Sequence, residues 1–158
     1  MITRYSRPEM AAIWTEEAKL QRWLDVELAV CRAWSRAGVV PADDLAEIEA
    51  NAAFSVERTL EIEKTTNHDV VAFLTDVAEH IGPASRWVHY GMTSSDVLDT
   101  GLGVALKHAG AILLREQAAL TQTLITRALE HADTLCVGRT HGIHAEPTTF
   151  GLKLAGFA

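Results

Sequence analysis

Only two cysteines occur in the 158 residues, Cys31 and Cys136, and they lie in unrelated segments. That spacing excludes a disulfide framework and a cysteine-based metal site, and it fits a reducing, cytoplasmic compartment. Basic residues are scarce as well: 14 Lys and Arg stand against 21 Asp and Glu, for a formal net charge of −7. Without a basic cluster the chain lacks the footprint that nucleic acids and anionic membranes require, so an anionic ligand must be held by a local site. No run approaches the roughly 18 uninterrupted apolar residues of a membrane span. The opening MITRYSRPEM has no apolar core of a signal peptide. Repeats, low-complexity tracts and linkers are absent too. A soluble protein without nucleic-acid or membrane partners is expected. What remains is 48% hydrophobic, enough for a genuine core.

The apolar residues recur at helical spacing nearly throughout. Ser6 and Glu9 have capping-box spacing around Pro8, which suits a first helical turn. Thr15 starts a second run in which Leu20, Leu24, Leu28, Cys31 and Trp34 repeat every three or four residues, and Gly38 ends it. Two shorter Glu-rich helices are expected over 41–51 and 55–64, with Leu45, Ile48, Leu60 and Ile62 as their apolar positions. Thr65-Thr66-Asn67 breaks the pattern, and Val70, Val71, Phe73, Leu74, Val77 and Ile81 form another helix that closes at Gly82-Pro83. Residues 83–92 read as a loop. From Thr93 or Ser94 to about Ala132 no proline intervenes, which predicts one helix of about 55–60 Å at 1.5 Å per residue. A helix of that length needs long neighbours, so a bundle is implied. Residues 133–147 read as a connection, and Pro147 is expected to open a further helix. The fold class is therefore all-α, with a small helical domain over 1–92 and the start of a long-helix bundle over 93–158.

Three segments concentrate chemistry. Thr66-Asn67-His68-Asp69 opens a helix, where free backbone amides attract anions. In His89-Tyr90-Gly91-Met92-Thr93-Ser94-Ser95-Asp96 a loop histidine and a glycine precede three hydroxyl residues at the start of the longest helix. Amide donors, hydroxyls and the helix dipole together suit a carboxylate ligand. Simple capping is the competing reading of both segments. The third, Gly138-Arg139-Thr140-His141-Gly142-Ile143-His144-Ala145-Glu146-Pro147-Thr148-Thr149-Phe150-Gly151, is the densest. Its His-x-x-His pair lacks a third ligand nearby, so no metal is expected. His80, His108 and His131 sit among ordinary polar neighbours and read as solvated or dipole-facing.

These segments, in this order and at these separations, resemble the conserved regions of the fumarase/aspartase superfamily. With Arg4-Tyr5-Ser6-Arg7-Pro8-Glu9-Met10, Ile13-Trp14 and His68-Asp69-Val70-Val71-Ala72-Phe73, the chain is similar to the amino-terminal portion of the adenylosuccinate lyase family along essentially its whole length. A related cycloisomerase that acts on carboxymuconate carries tryptophan where this chain has His141.

The resemblance implies β-elimination of fumarate from adenylosuccinate, giving AMP, and from a succinyl-carboxamide ribotide of purine synthesis, without a cofactor. His141 would be the general acid, with Thr140 beside it and His68 as a second catalytic residue. Arg4, Tyr5, Asn67, Asp69, His89, Thr93 and Ser94 would bind substrate, Arg4 and Tyr5 at the nucleotide phosphate. The family's base is a serine on a glycine-rich loop far downstream of Ala158, so residues 1–158 alone are expected to be inactive. Family members are homotetramers whose sites draw on three subunits. The alternatives are another lyase of the superfamily and a non-catalytic helical structural module.

Overall fold

The computed structural model describes residues 2–158. After a 3-10 turn over Thr3–Tyr5 come five helices: α1 (Pro8–Ile13), α2 (Glu16–Arg36), α3 (Ala42–Asn51), α4 (Val56–Thr66) and α5 (Asp69–Ile81). A second 3-10 turn over Pro83–Trp87 occupies the expected loop and leads to the long helix α6 (Ser94–Glu130). Strands β1 (Leu135–Thr140) and β2 (Ile143–Thr149) and a last helix, α7 (Phe150–Ala155), follow. The fold is thus helical with one small sheet. Two compact units divide within α6, one reaching to Ala109 and the other running Gly110–Ala158.

Local chemistry explains most of the boundaries. Thr15 caps α2, its hydroxyl accepting the Ala18 N–H at 3.1 Å, and Glu16 and Glu17 face the positive end of the helix. Beyond Arg36, Gly38 takes φ +78°, the left-handed conformation in which glycine is unstrained. Ser55 caps α4 in the same way as Thr15. The capping box expected at Ser6 does not form. The helix starts two residues later at Pro8, and the Ser6 hydroxyl donates to the Ile2 carbonyl instead.

The core of the first unit is built by α2, α3, α5 and the start of α6: Leu20, Trp23, Leu24, Cys31, Ile48, Val70, Phe73, Val77, Ile81 and Val97 are all buried. Trp23 meets Phe73 edge-on at 5.6 Å between centroids, and Phe54 covers the Phe73 ring at 6.1 Å. On α4 the inward residue is Thr59, while Leu60 is exposed. Thr59 donates to the buried Asp76 carboxylate at 2.9 Å, and the Ser55 N–H reaches the same oxygen at 2.7 Å, so one carboxylate ties α4 to α5.

On α6 the buried residues are Val97, Gly101, Ala105 and Ala109, four apart along one stripe. Leu102, Leu106, Leu113, Leu114, Leu120 and Leu129 remain exposed. By length and composition alone α6 passes for a membrane span. Asp99, Lys107 and His108 lie among its apolar residues, however, and each would be costly in hydrocarbon.

The second unit departs from expectation. Residues 133–147 are no simple connection, because β1 and β2 form an antiparallel hairpin with Leu135 opposite Thr149 and Thr140 opposite Ile143. A register shift between Val137 and Arg139 sets two residues of β2, Ala145 and Glu146, against the single Gly138 of β1, as in a bulge. Pro147 does not open a helix. It sits in β2 opposite Val137, and in a two-stranded sheet its missing N–H is tolerated at an edge. Helix α7 begins at Phe150, capped by the Thr149 hydroxyl, which accepts the Leu152 N–H at 3.2 Å.

Candidate active site

Asn67 and His68 form the hinge between α4 and α5. Asn67 ends α4 in the left-handed conformation, φ +50°, and its N–H still reaches the Glu63 carbonyl at 2.8 Å. His68 is itself the cap of α5: its Nδ1 accepts the Val71 N–H at 3.5 Å, a contact at the limit of a hydrogen bond. The same nitrogen lies 3.4 Å from the Asp69 carboxylate, which accepts the Val70 N–H at 2.8 Å. His68 is therefore loosely held and exposed at a helix start, where it can turn toward a ligand.

The loop after the second 3-10 turn is held far more firmly. His89 has φ +66°, and both its backbone and its ring are bound by one side chain, Glu27 of α2. Glu27 Oε2 accepts the His89 N–H at 2.8 Å and Oε1 lies 2.7 Å from His89 Nδ1. The Glu27 side chain is only 1% exposed, and its burial pushes the carboxyl above the usual range while the bonds to His89 pull it back. The next residues are clamped by tryptophans. Trp34 Nε1 donates to the Tyr90 carbonyl at 2.9 Å, and Trp87 and Trp34 meet the Tyr90 ring edge-on. Gly91, φ +78°, lies so close to Trp34 that a Cβ would sit 3.2 Å from its ring.

At the start of α6 the Thr93 N–H donates to the Asp96 carboxylate at 2.8 Å, which is half of a capping box. A carboxylate of the chain thus already occupies one donor there. A cleft of about 600 Å³ lined by Arg22, Asp25, Val26, Gly91, Met92 and Asp96 among others opens beside this loop, and none of the candidate site residues lines it.

Thr140 and His141 belong to the second unit. Thr140 ends β1, and His141-Gly142 is the two-residue tip of the hairpin, with φ +48° and +76°. Positive φ at both positions is what a type I′ turn requires and what twisted strands favour. His141 is held out at the tip, exposed to solvent. Its ring can reach a ligand without desolvating a core, at the cost of a backbone conformation that glycine or asparagine would adopt more readily. Arg4 and Tyr5 stack on each other, guanidinium carbon 4.7 Å above the ring centroid, and both are exposed.

Among the sequence-derived candidates, two pairs are in direct contact, His68 with Asp69 and Arg4 with Tyr5. His89 is joined instead to Glu27, which sequence reasoning passed over. A signal existed: Glu27 lies seven residues after Leu20 and four before Cys31, in phase with the buried face of α2. A carboxylate in an apolar stripe needs a partner.

The lyase family model matches residues 3–158. The adenylosuccinate lyase of Bacillus subtilis (strain 168) is 54% identical over 155 residues, which are 98% of this chain and 36% of that protein. The adenylosuccinate lyase of a Synechocystis strain is 52% identical over 157 residues, 99% of this chain and again 36% of the relative. Among solved structures, the 3-carboxy-cis,cis-muconate lactonizing enzyme of Pseudomonas putida superposes with a TM-score of 0.90 at 36% identity, covering 98% of this chain and 37% of its own. A fumarate lyase from a Mesorhizobium species gives 0.88 at 29% identity, covering 97% and 38%. The chain spans little more than a third of the length of these proteins.

Proposed function

This chain belongs to the lyase family, and we propose that it supplies the amino-terminal part of an adenylosuccinate lyase, which splits adenylosuccinate into AMP and fumarate. The observation that carries this reading is 54% identity, over 98% of the chain, to a protein named for that activity. The same enzyme would release fumarate from the succinyl-carboxamide ribotide of purine synthesis, because both substrates carry the same succinyl group on nitrogen.

In such a β-elimination a base takes the proton next to a carboxylate, the C–N bond breaks with its electrons passing to nitrogen, and an acid returns a proton there. Negative charge grows on the carboxylate as the proton leaves, so donors already in place lower the barrier. In this reading the start of α6, with Thr93 and Ser94, serves the carboxylate. His141, with Thr140, protonates the departing nitrogen, as an imidazolium N–H can. His68, Asn67, Asp69 and His89 would orient the substrate, and Arg4 with Tyr5 would meet the nucleotide phosphate. The base would come from residues beyond 158, so the isolated segment should release no fumarate. The exposed apolar residues of α6 support assembly with further copies, a homotetramer in the complete protein.

The test is fumarate release from adenylosuccinate by a protein carrying this segment at the relatives' full length. Absence of release would refute the reading. The structural likeness to the muconate lactonizing enzyme favours one competitor, so carboxymuconate should be offered in parallel; turnover of that compound alone would transfer the assignment.

A further inference from the structure

Glu27 is buried in the middle of α2, and no step of the proposed elimination uses it. Its two oxygens are both committed to one residue, His89. The backbone bond has an unambiguous direction, since an amide N–H only donates. An ionised carboxylate only accepts, so the 2.7 Å contact of Oε1 with Nδ1 then requires a proton on Nδ1. Were Glu27 protonated on Oε1 with that proton directed at Nδ1, the ring proton would lie on Nε2. The two arrangements present opposite chemistry at the outer nitrogen: a neutral ring with Nδ1–H offers a lone pair at Nε2, and the other offers a donor. Among the described residues, Nε2 has no hydrogen-bond partner within the chain.

We infer that Glu27 is a positioning residue: as a carboxylate it fixes the His89 ring and backbone together and sets the neutral ring in the Nδ1–H tautomer, with Nε2 presented to ligand as an acceptor. Two features favour the ionised form. Both contacts are short and go to separate oxygens, as charge-assisted bonds do. The amide bond at Oε2 stabilises negative charge on the carboxylate. Uptake of a proton by the ring would leave the Nδ1 bond intact and turn Nε2 into a donor, so the pair adapts to an anionic ligand without moving. The backbone bond has a separate purpose, since it holds His89 at φ +66°, where a non-glycine residue is strained.

The experiment uses the 158-residue chain labelled with ¹⁵N-histidine, at a pH where the ring is neutral, with two-bond ¹H–¹⁵N correlations assigning the tautomer of His89. The expected result is Nδ1–H in the wild type. Glu27→Gln is the informative variant: its amide oxygen can still accept the His89 N–H, but its NH₂ must donate to Nδ1, which forces Nε2–H. A switch of tautomer between the two proteins supports the inference. Nε2–H in the wild type, a measurement that needs no variant to fold, would overturn it, and so would an unchanged tautomer in Glu27→Gln.

The catalytic consequence rests on the function proposed above. In the full-length protein Glu27→Gln should lower kcat/KM at least about tenfold, since a wrong tautomer is costly wherever a histidine must accept. Loss of turnover in the wild type would sink that function and leave the tautomer assignment standing.

Discussion

Substituting Gly151 by alanine tests the packing of the second unit, because the obstacle to a side chain there is backbone. A Cβ on Gly151 would lie 2.4 Å from the Ala128 carbonyl oxygen and 2.8 Å from both N and Cα of Ala132. No rotamer change can relieve such contacts, so α7 must lift from the end of α6. Lifting strains two bonds that seat it, from the Gly151 N–H to the His131 carbonyl at 2.9 Å and from the Phe150 N–H to the Thr134 carbonyl at 2.8 Å. Overpacking of this kind costs about 3 kcal/mol, and the better helix propensity of alanine returns up to about 1 kcal/mol. The net of about 2 kcal/mol corresponds to a roughly 30-fold rise in the opening equilibrium. Hydrogen exchange at the amides of residues 150 and 151 reads that opening locally, and the expected result is a matching acceleration. Gly103→Ala is the control: nothing lies within 4 Å of its Cβ, so it should gain up to about 1 kcal/mol from helix propensity. Unchanged exchange in Gly151→Ala would refute the close approach.

Asp76→Ala should destabilise the first unit by about 2–4 kcal/mol in urea unfolding, because the Ser55 amide and Thr59 hydroxyl lose their acceptor. Glu27 has a folded pKa raised above its ordinary 4.5, chiefly by burial, so the native state binds its proton more tightly than the unfolded chain does. Its contribution to stability is therefore greatest at acid pH and declines as pH rises from the unfolded value through the folded one. Wild type should lose stability relative to Glu27→Gln across that interval, and a gain of wild-type stability relative to the variant as pH rises would contradict the raised pKa. Cys31, buried against the Trp87 carbonyl, has its thiol pushed up to about 11 by burial and then by the Glu27 charge, so it should resist thiol reagents near neutral pH until urea unfolds the chain. In the full-length protein His141→Ala should lower kcat by roughly 10²–10⁴, with less effect on KM, and wild-type turnover would remove His141 from the mechanism.

The helices were legible in the sequence because their signals are local and repeated. Thr15 and Gly38 mark true boundaries, while of the break expected at Thr65-Thr66-Asn67 only Asn67 lies outside α4, which runs on through Thr66; along α5, Val70, Phe73, Val77 and Ile81 are buried as their period implies, and Val71 is exposed. The hairpin was not legible. Its turn is His-Gly rather than the usual Asn-Gly or Asp-Gly, and Gly138 and Pro147 interrupt the alternation by which strands are recognised. At Ser6 a correct motif spacing failed because Pro8 set the helix start. The candidate site was legible as segments, since glycines, histidines and hydroxyls cluster in sequence. The Glu27–His89 pair was not, because it joins residues 62 positions apart and only the packing of α2 against the loop brings them together.

Asn67, His89 and His141 are the non-glycine residues with positive φ among those described, and they fall one in each of the three chemically dense segments. Left-handed backbone at a residue with a Cβ costs about 1–2 kcal/mol, less for asparagine. A population of variants filtered only for folding should therefore drift toward glycine at positions 89 and 141, becoming more stable as it does so. A population filtered for what the protein does should hold histidine there against that pull. Deep mutational scanning with a stability readout beside an activity readout would separate the two pressures, and opposite rankings of glycine and histidine at those positions would show selection sustaining strain. Each such position then becomes a mark of use that can be read from one backbone, without an alignment.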